Sequence, residues 1–452
     1  MSYPDIYLTR PWRRTIMISL GLIFFILAPT LILYTAGYRY NFDTLRVEQT
    51  GVISIDANPT DAVVTLSNTT FHKKMPIRLA NIAPGRYELS IAKNNFHTWK
   101  KDIVVKSNQT TYIRDITLPR IASPEPVQFE GWGDEQNIEA FWPSFDGRYL
   151  IIATNKQEIH ELFLFDTDRQ NLTLLTRTAS KSLPIINWAP TETIALIGTE
   201  TFQGTELRLI NLPDTNIIFS ATTSVSLASI RYQWFKSALG RTVLLFQDES
   251  TLYELTELGK KEIAKVTSTI WFVEDKKRIW TGTSEPTLFL SDDAAILETN
   301  FTIPEPATRI VDISPTHFIV QSDNSLMILQ RNNNTLTDSK ILPINNFQLL
   351  PNSHNWIAWS EREIWKIDNQ GQSELLNRSG ETITSLAAID KFGWLAVASG
   401  QSLVVFNQNY FVFQELWRGF IIETLSVEPK QRRIYFLAKD EKGKKKIYSL
   451  LF

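Results

Sequence analysis

The side chains able to do acid–base or metal chemistry are few and scattered. There are five histidines: His72, His97, His160, His317 and His354. The stretch HELFL at His160 has no second histidine four residues on, so it is not a zincin helix. No Gly-x-Ser-x-Gly elbow, Walker A loop or Gly-x-Gly-x-x-Gly run occurs. DTDRQ, Asp166 to Gln170, spaces its acids like the start of a calcium loop. It lacks the glycine at position six and the glutamate at position twelve, so it reads as a polar turn after a strand. Asp292-Asp293 follows TLFLS and reads the same way. A carboxylate pair for sugar hydrolysis can be assembled from distant parts of a chain, but no spacing singles one out. Cysteine is absent, which excludes disulfides, thiolate metal sites, cysteine nucleophiles and a lipid-modified cysteine. No catalytic, cofactor-binding or metal-binding residue is assigned, the ligand-binding residues are unknown, and no cofactor is expected.

Two further residue groups invite a functional reading. DEKGKKKIYS, Asp440 to Ser449, carries a lysine cluster that would suit an anionic envelope polymer. The plainer reading is a solvated hairpin tip turning at Gly443. Trp188, Trp271, Trp356, Trp394 and Trp417 recur at strand positions and read as core in preference to a carbohydrate platform.

The elements that carry these residues fall into three parts. With 452 residues the chain exceeds one ordinary core. Its formal net charge of -2 argues against nucleic-acid binding. Thr15 to Tyr38 holds no charged residue and is long enough for a helix across a hydrocarbon core of about 30 Å. Trp12, Tyr34, Tyr38 and Tyr40 flank it as an interfacial belt, and Pro29 lies inside. The alternatives are a cleaved signal peptide, whose apolar region runs about 7–15 residues, and a buried soluble helix. An uncleaved single-pass anchor is expected. Arg10, Arg13 and Arg14 before it, against Arg39 and Arg46 after it, place the N-terminus in the cytoplasm.

The next segment, Gly51 to Leu118, is a run of short strands. Val52 to Asp56 and Ala62 to Ser67 are rich in β-branched residues, with Asn58-Pro59 between them. In RYELSIAK, Tyr87, Leu89 and Ile91 alternate with Arg86, Glu88 and Ser90, the pattern of a half-buried antiparallel strand. Pro84-Gly85 before it predicts a type II turn with Gly85 at positive φ, which a β-branched residue at 85 would strain. In order, Gly51, Pro59, Ala62, Pro76, Pro84, Gly85, Tyr87, Lys93 and Phe96 resemble the PEGA domain, a small β-sandwich-like module of bacterial and archaeal surface proteins. Asn95 stands where that family has glycine. SNTTFHKKMP departs from its glycine-containing tip, with Met75 before the proline. The resemblance implies a non-catalytic extracytoplasmic module and no particular ligand.

Beyond the proline-rich linker Pro119 to Pro126 lie units of strand, turn and strand. They start at Phe141, Asn187, Gln233, Trp271, Asp312, Gln348, Ala387 and Ser426. A third strand follows each, beginning at Glu161, Glu206, Thr251, Thr287, Ser325, Glu363, Ser402 and Lys446. These third strands start 36 to 45 residues apart, the length of a four-stranded propeller blade. Eight units are counted, and seven blades remains open because those around Trp234 and Asp312 are least regular. No outer strand follows the eighth third strand, and Pro126 to Trp132 is expected to supply it and close the ring. Trp142, Pro143, Asp146 and Gly147 make the first unit resemble the Trp-Ser-Pro-Asp-Gly propeller repeat of bacterial periplasmic proteins. The signatures of the WD-repeat family are missing.

The expected organisation is therefore all-β with one N-terminal transmembrane helix. It comprises a cytoplasmic stub (1–14), the helix (15–38), a PEGA-like β domain (50–119) and a β-propeller (126–452). The leading reading is a non-catalytic binding or scaffold protein of the bacterial cell envelope. It would be anchored by a single membrane span, with its C-terminal domains extracytoplasmic. Its partner would be an envelope protein or a cell-wall glycan, not nucleic acid. The alternatives are an envelope glycan hydrolase or lyase with acids in the propeller channel, and a sensor signalling through the helix. A stub of about 14 residues is too short for an output domain.

Overall fold

The computed structural model describes residues 10–452, apart from 42–45, 131, 133–136, 157–158, 181, 213, 237–241, 257–258, 275–277, 283–286, 293–294, 333–334, 345, 351–352, 391–392 and 441. The chain forms two compact units, residues 1–121 and 122–452.

In the first unit one helix, α1, runs Arg10–Thr35. Its 26 residues span about 39 Å, and none of its side chains is buried. It is displaced towards the N-terminus from the expected Thr15 to Tyr38. Pro11 fits the first turn, where no amide is needed, so the helix begins among the arginines. It ends early because Gly37 takes φ +81, which glycine reaches without strain. Arg39 then donates to the Tyr34 and Tyr38 carbonyls at 2.7 and 2.8 Å and lies over the Tyr34 ring. These contacts satisfy carbonyls that the helix end leaves open.

Two sheets follow. Ile77–Ile82, Gly51–Asn58 and Thr110–Thr117 form one, with the last pair parallel. Thr69–Phe71, Val63–Leu66, Gly85–Ala92 and Trp99–Val105 form the other, all antiparallel. Ile53, Ile55, Val64, Leu89 and Ile91 are fully buried. Each alternates with an exposed or half-buried neighbour, as the period-two reading of RYELSIAK requires.

The expected type II turn at Pro84-Gly85 is not formed. Gly85 already opens a strand and has no positive φ, while Asn81 takes φ +60. The Tyr87 hydroxyl donates to the Ala83 carbonyl at 2.8 Å, which folds its ring over Gly85. An added Cβ there would meet that ring at 3.4 Å, ordinary contact, so the expected strain from a β-branched residue at 85 is withdrawn. Asn95 takes φ +64, the conformation that favours glycine.

Among the described residues the second unit forms eight four-stranded antiparallel sheets, one at each sequence unit. Their inner strands are Asn137–Pro143, Ile185–Trp188, Arg231–Lys236, Ile270–Val273, Arg309–Ile313, Asn346–Leu349, Ile383–Ala388 and Ile422–Glu428. Successive sheets share apolar cores. Tyr149 and Ile151 of the first pack with Ile186 and Ile197 of the second. Leu245 and Leu252 of the third meet Trp271 and Val273 of the fourth. Each buried strand carries near-continuous apolar residues because it is covered on both faces.

The ring closes as the sequence predicts, one residue earlier. Glu125–Pro126 pairs with Lys445–Leu451 as the outer strand of the eighth sheet. The Val127 amide donates to the Ile447 carbonyl at 2.8 Å. Tyr435, Leu437 and Ile447 of that sheet share a core with Phe141, Ile152 and Phe165 of the first. This is a β-propeller, closed where Glu125–Pro126 and the shared core join its first and last sheets.

Candidate functional site

A cavity of about 610 Å³ lies where the inner strands of the second to sixth sheets approach one another. That volume falls in the range of small-ligand sites, roughly 300–1,000 Å³. Its walls are fixed by hydrogen bonds between sheets. The Trp234 indole donates to Asn187 Oδ1 at 2.6 Å, and the Trp356 indole to Asp312 Oδ2 at 3.2 Å. Gln233 bridges to the next inner strand twice: its Nε2 donates to the Val273 carbonyl at 3.0 Å, and its Oε1 accepts the Val273 amide at 2.8 Å. The Trp271 indole donates to Gln247 Oε1 at 2.6 Å. Below the cavity the same device recurs, where the Trp188 indole reaches the Trp142 carbonyl at 3.1 Å.

These bonds leave an asymmetric lining. Trp271 is buried in the core between the third and fourth sheets, while Trp234 and Trp356 are half-buried with their N–H groups used. Exposed cationic groups remain at Arg231 and Arg309. Arg231 contacts only backbone carbonyls, of Ile230 at 3.2 Å and Ala228 at 3.4 Å. Neither arginine forms an ion pair among the described residues. Burial pushes the Tyr232 phenol up, and the Arg309 guanidinium nearby opposes that rise. Asp312 is the one carboxylate among the described lining residues. The acid cluster that a channel hydrolase would need is not what lines this cavity.

The residues weighed in the sequence lie elsewhere, the tryptophans partly excepted. Trp271 and Trp356 line the cavity. Trp271 and Trp394 are buried, while Trp188, Trp356 and Trp417 are half-buried. None of the five histidines lines it. His160 is buried against Glu139 at 2.9 Å, and His317 against Ser314 and Thr316, its pKa lowered by burial. In DTDRQ, Asp166 Oδ1 accepts the amides of Asp168 and Arg169 at 2.9 and 3.1 Å. Arg148 stands 3.6 Å from Asp166 and 3.2 Å from Asp168, so their charge is already answered. No metal-binding group of three ligands occurs among the described residues. Asp292-Asp293 lies outside the described side chains. The lysine cluster is a hairpin tip turning at Gly443, with Lys445 on Glu423 at 2.6 Å and Lys446 on Asp440 at 3.1 Å.

Sequence reasoning missed Arg231, Tyr232 and Arg309. The units were taken from Gln233 and Asp312, just past the arginines that open these two inner strands. RYQWF and RIVDI, each opening an inner strand with arginine, were the available signal.

Residues 50–121 match the PEGA domain model. No curated protein matches the chain. Among solved structures, one similar chain is an uncharacterized protein of Listeria monocytogenes. It is 12% identical, covers 65% of this chain and 98% of that one, and has a TM-score of 0.42. Another is the Cps50 (Swd1) β-propeller domain of Myceliophteria thermophila. It is 12% identical, covers 73% of this chain and 100% of that one, and has a TM-score of 0.41. The propeller rests on the sheet order above and not on these likenesses.

Proposed function

We propose that this chain, which joins an apolar N-terminal helix, a PEGA domain and a β-propeller, is a membrane-anchored binding protein of the bacterial cell envelope. The helix is the single membrane span, with the N-terminal stub cytoplasmic and both β modules outside. The propeller holds an envelope partner at its inner-strand cavity. The cavity carries this reading, because it combines fixed aromatic faces with uncompensated cations and a single carboxylate. That lining suits recognition and lacks the paired acids of glycan hydrolysis. Of the two partner classes, protein is favoured over glycan. Two arginines against a single carboxylate give the described lining a net positive charge, which suits a charged protein segment better than a neutral glycan.

Two measurements test this. Protease added to intact cells should remove the propeller, and full protection would sink the topology. In vivo crosslinking should trap an envelope protein on the wild-type chain and not on Ala228→Trp, which fills the cavity from an exposed wall position. Unchanged crosslinks in that variant would remove the cavity from the function.

A further inference from the structure

We infer that the propeller cavity receives an acidic segment of a protein partner, an aspartate or glutamate flanked by an aromatic or aliphatic residue. This deepens the binding role proposed above and rests on it. The two arginines come from inner strands two sheets apart, Arg231–Lys236 and Arg309–Ile313, with Ile270–Val273 between them. Both side chains are exposed, both line the cavity, and no carboxylate pairs with either among the described residues. A guanidinium presents a planar fork of donors that matches a carboxylate in a two-point contact.

The lining also holds neutral polar groups at Thr269, Thr308 and Gln321, so its distinguishing feature is charge: two guanidinium groups against one carboxylate among the described lining residues. Asp312 Oδ2 already accepts the Trp356 indole, and its charge leaves the two arginines in excess. A cationic occupant would meet repulsion from both arginines. An acidic side chain fits the two guanidinium groups, and its apolar neighbour fits the half-buried lining residues Phe272 and Trp356. The peptide backbone can stay in water, so its own amides need no buried acceptors. Long-range attraction by uncompensated arginines also favours an acidic partner on approach, an effect that salt weakens.

The test uses the full chain in lipid nanodiscs, with calorimetry and tryptophan fluorescence as readouts. The probes are the blocked peptide Ac-Gly-Phe-Glu-Phe-Gly-NH2, its glutamine and lysine counterparts, and trigalacturonate as an acidic sugar. The glutamate peptide should bind about 10- to 100-fold tighter than the glutamine peptide, the range of a charge-assisted hydrogen bond. The lysine peptide should not bind. Arg231→Gln and Arg309→Gln should each remove about tenfold from glutamate-peptide affinity while leaving the glutamine peptide and the unfolding temperature unchanged. Arg309→Lys should keep part of the preference.

Equal binding of the glutamate and glutamine peptides would overturn the acidic assignment, as would tighter binding of trigalacturonate or no binding of any peptide. Such results are separable from failure of the binding role. If Ala228→Trp abolishes the crosslinks while the peptides do not discriminate, the cavity remains the site and only its chemistry has been misassigned.

Discussion

Gly147 is where closure of the ring can be tested with one methyl group. It sits in the turn between the inner and second strands of the first sheet, at φ +70. The turn is built by Ser144, whose carbonyl accepts the Gly147 amide at 3.0 Å, and by Asp146, which accepts the Ser144 hydroxyl at 2.7 Å and the Arg148 amide at 3.2 Å. A Cβ at 147 would lie 1.9 Å from the Val427 carbonyl oxygen and 2.6 Å from its carbon. Those atoms belong to the inner strand of the eighth sheet, Ile422–Glu428. The obstacle is backbone and not a flexible side chain. Either the first sheet's turn or the eighth sheet's strand must retreat by roughly an ångström, the scale of shift that overpacking forces.

Two terms then add in Gly147→Ala. The left-handed backbone costs an alanine about 1–2 kcal/mol. The forced shift costs about 1–3 kcal/mol more. Gly443→Ala separates them, because Gly443 has a similar φ of +77 and nothing within 4 Å of the added Cβ. It should show the backbone term alone. Thermal unfolding followed by circular dichroism is the assay. At about 2 °C or slightly less per kcal/mol in a unit this large, Gly147→Ala should unfold about 2–6 °C below Gly443→Ala. Equal shifts in the two variants would refute the claim that the turn at 147 is pressed against the last sheet, and with it this account of the seam.

Glu428, on the same seam, is buried, and its carboxyl is held above the ordinary range by that burial. The amides of Lys430 and Gln431 oppose the rise, while Asp146 and Asp168 add to it. The folded state keeps this proton longer than the unfolded chain, so the penalty is absent at pH below the usual carboxylate range, grows as pH climbs through it, and is complete above the folded value. Glu428→Gln should match the wild type in unfolding temperature at acid pH and exceed it increasingly towards neutrality; parallel curves would contradict the burial argument. In the PEGA domain, Asn95→Gly should be neutral or raise stability by up to about 1 kcal/mol, and Asn95→Ala should lower it by about 1 kcal/mol, both read by urea unfolding. At the helix centre, Phe25→Arg should cost about 3 kcal/mol of membrane insertion and move the chain into the carbonate-extractable fraction.

What the sequence disclosed and what it hid differ in range. Each propeller sheet is announced locally: FWPSFDGRYLII carries its own inner strand, turn and second strand within twelve residues, and ELFLFD follows as the third. The strand edge left open after KIYSLL implied the closing strand, and Glu125–Pro126 fills it. Pro84-Gly85 misled for the opposite reason. Its local chemistry spells a turn, but Gly85 opens a strand without a positive φ, beneath a Tyr87 ring held by the Ala83 carbonyl. Asn95 hid its likeness to the PEGA glycine by residue type while keeping its φ.

The cavity was illegible in a deeper sense, because no single unit contains it. Arg231 and Arg309 are 78 positions apart and line one cavity only because the ring brings alternate inner strands to one centre. Alternation along a strand says which residues leave the core. It does not say whether they emerge into solvent or into a shared channel. The fixed indoles give the distinction its physical basis. Trp234 and Trp356 bond across sheets, so the walls hold their shape with the arginines uncompensated. Two guanidinium groups against one carboxylate give the described lining a net positive charge, and that charge is what the glutamate and glutamine peptides read.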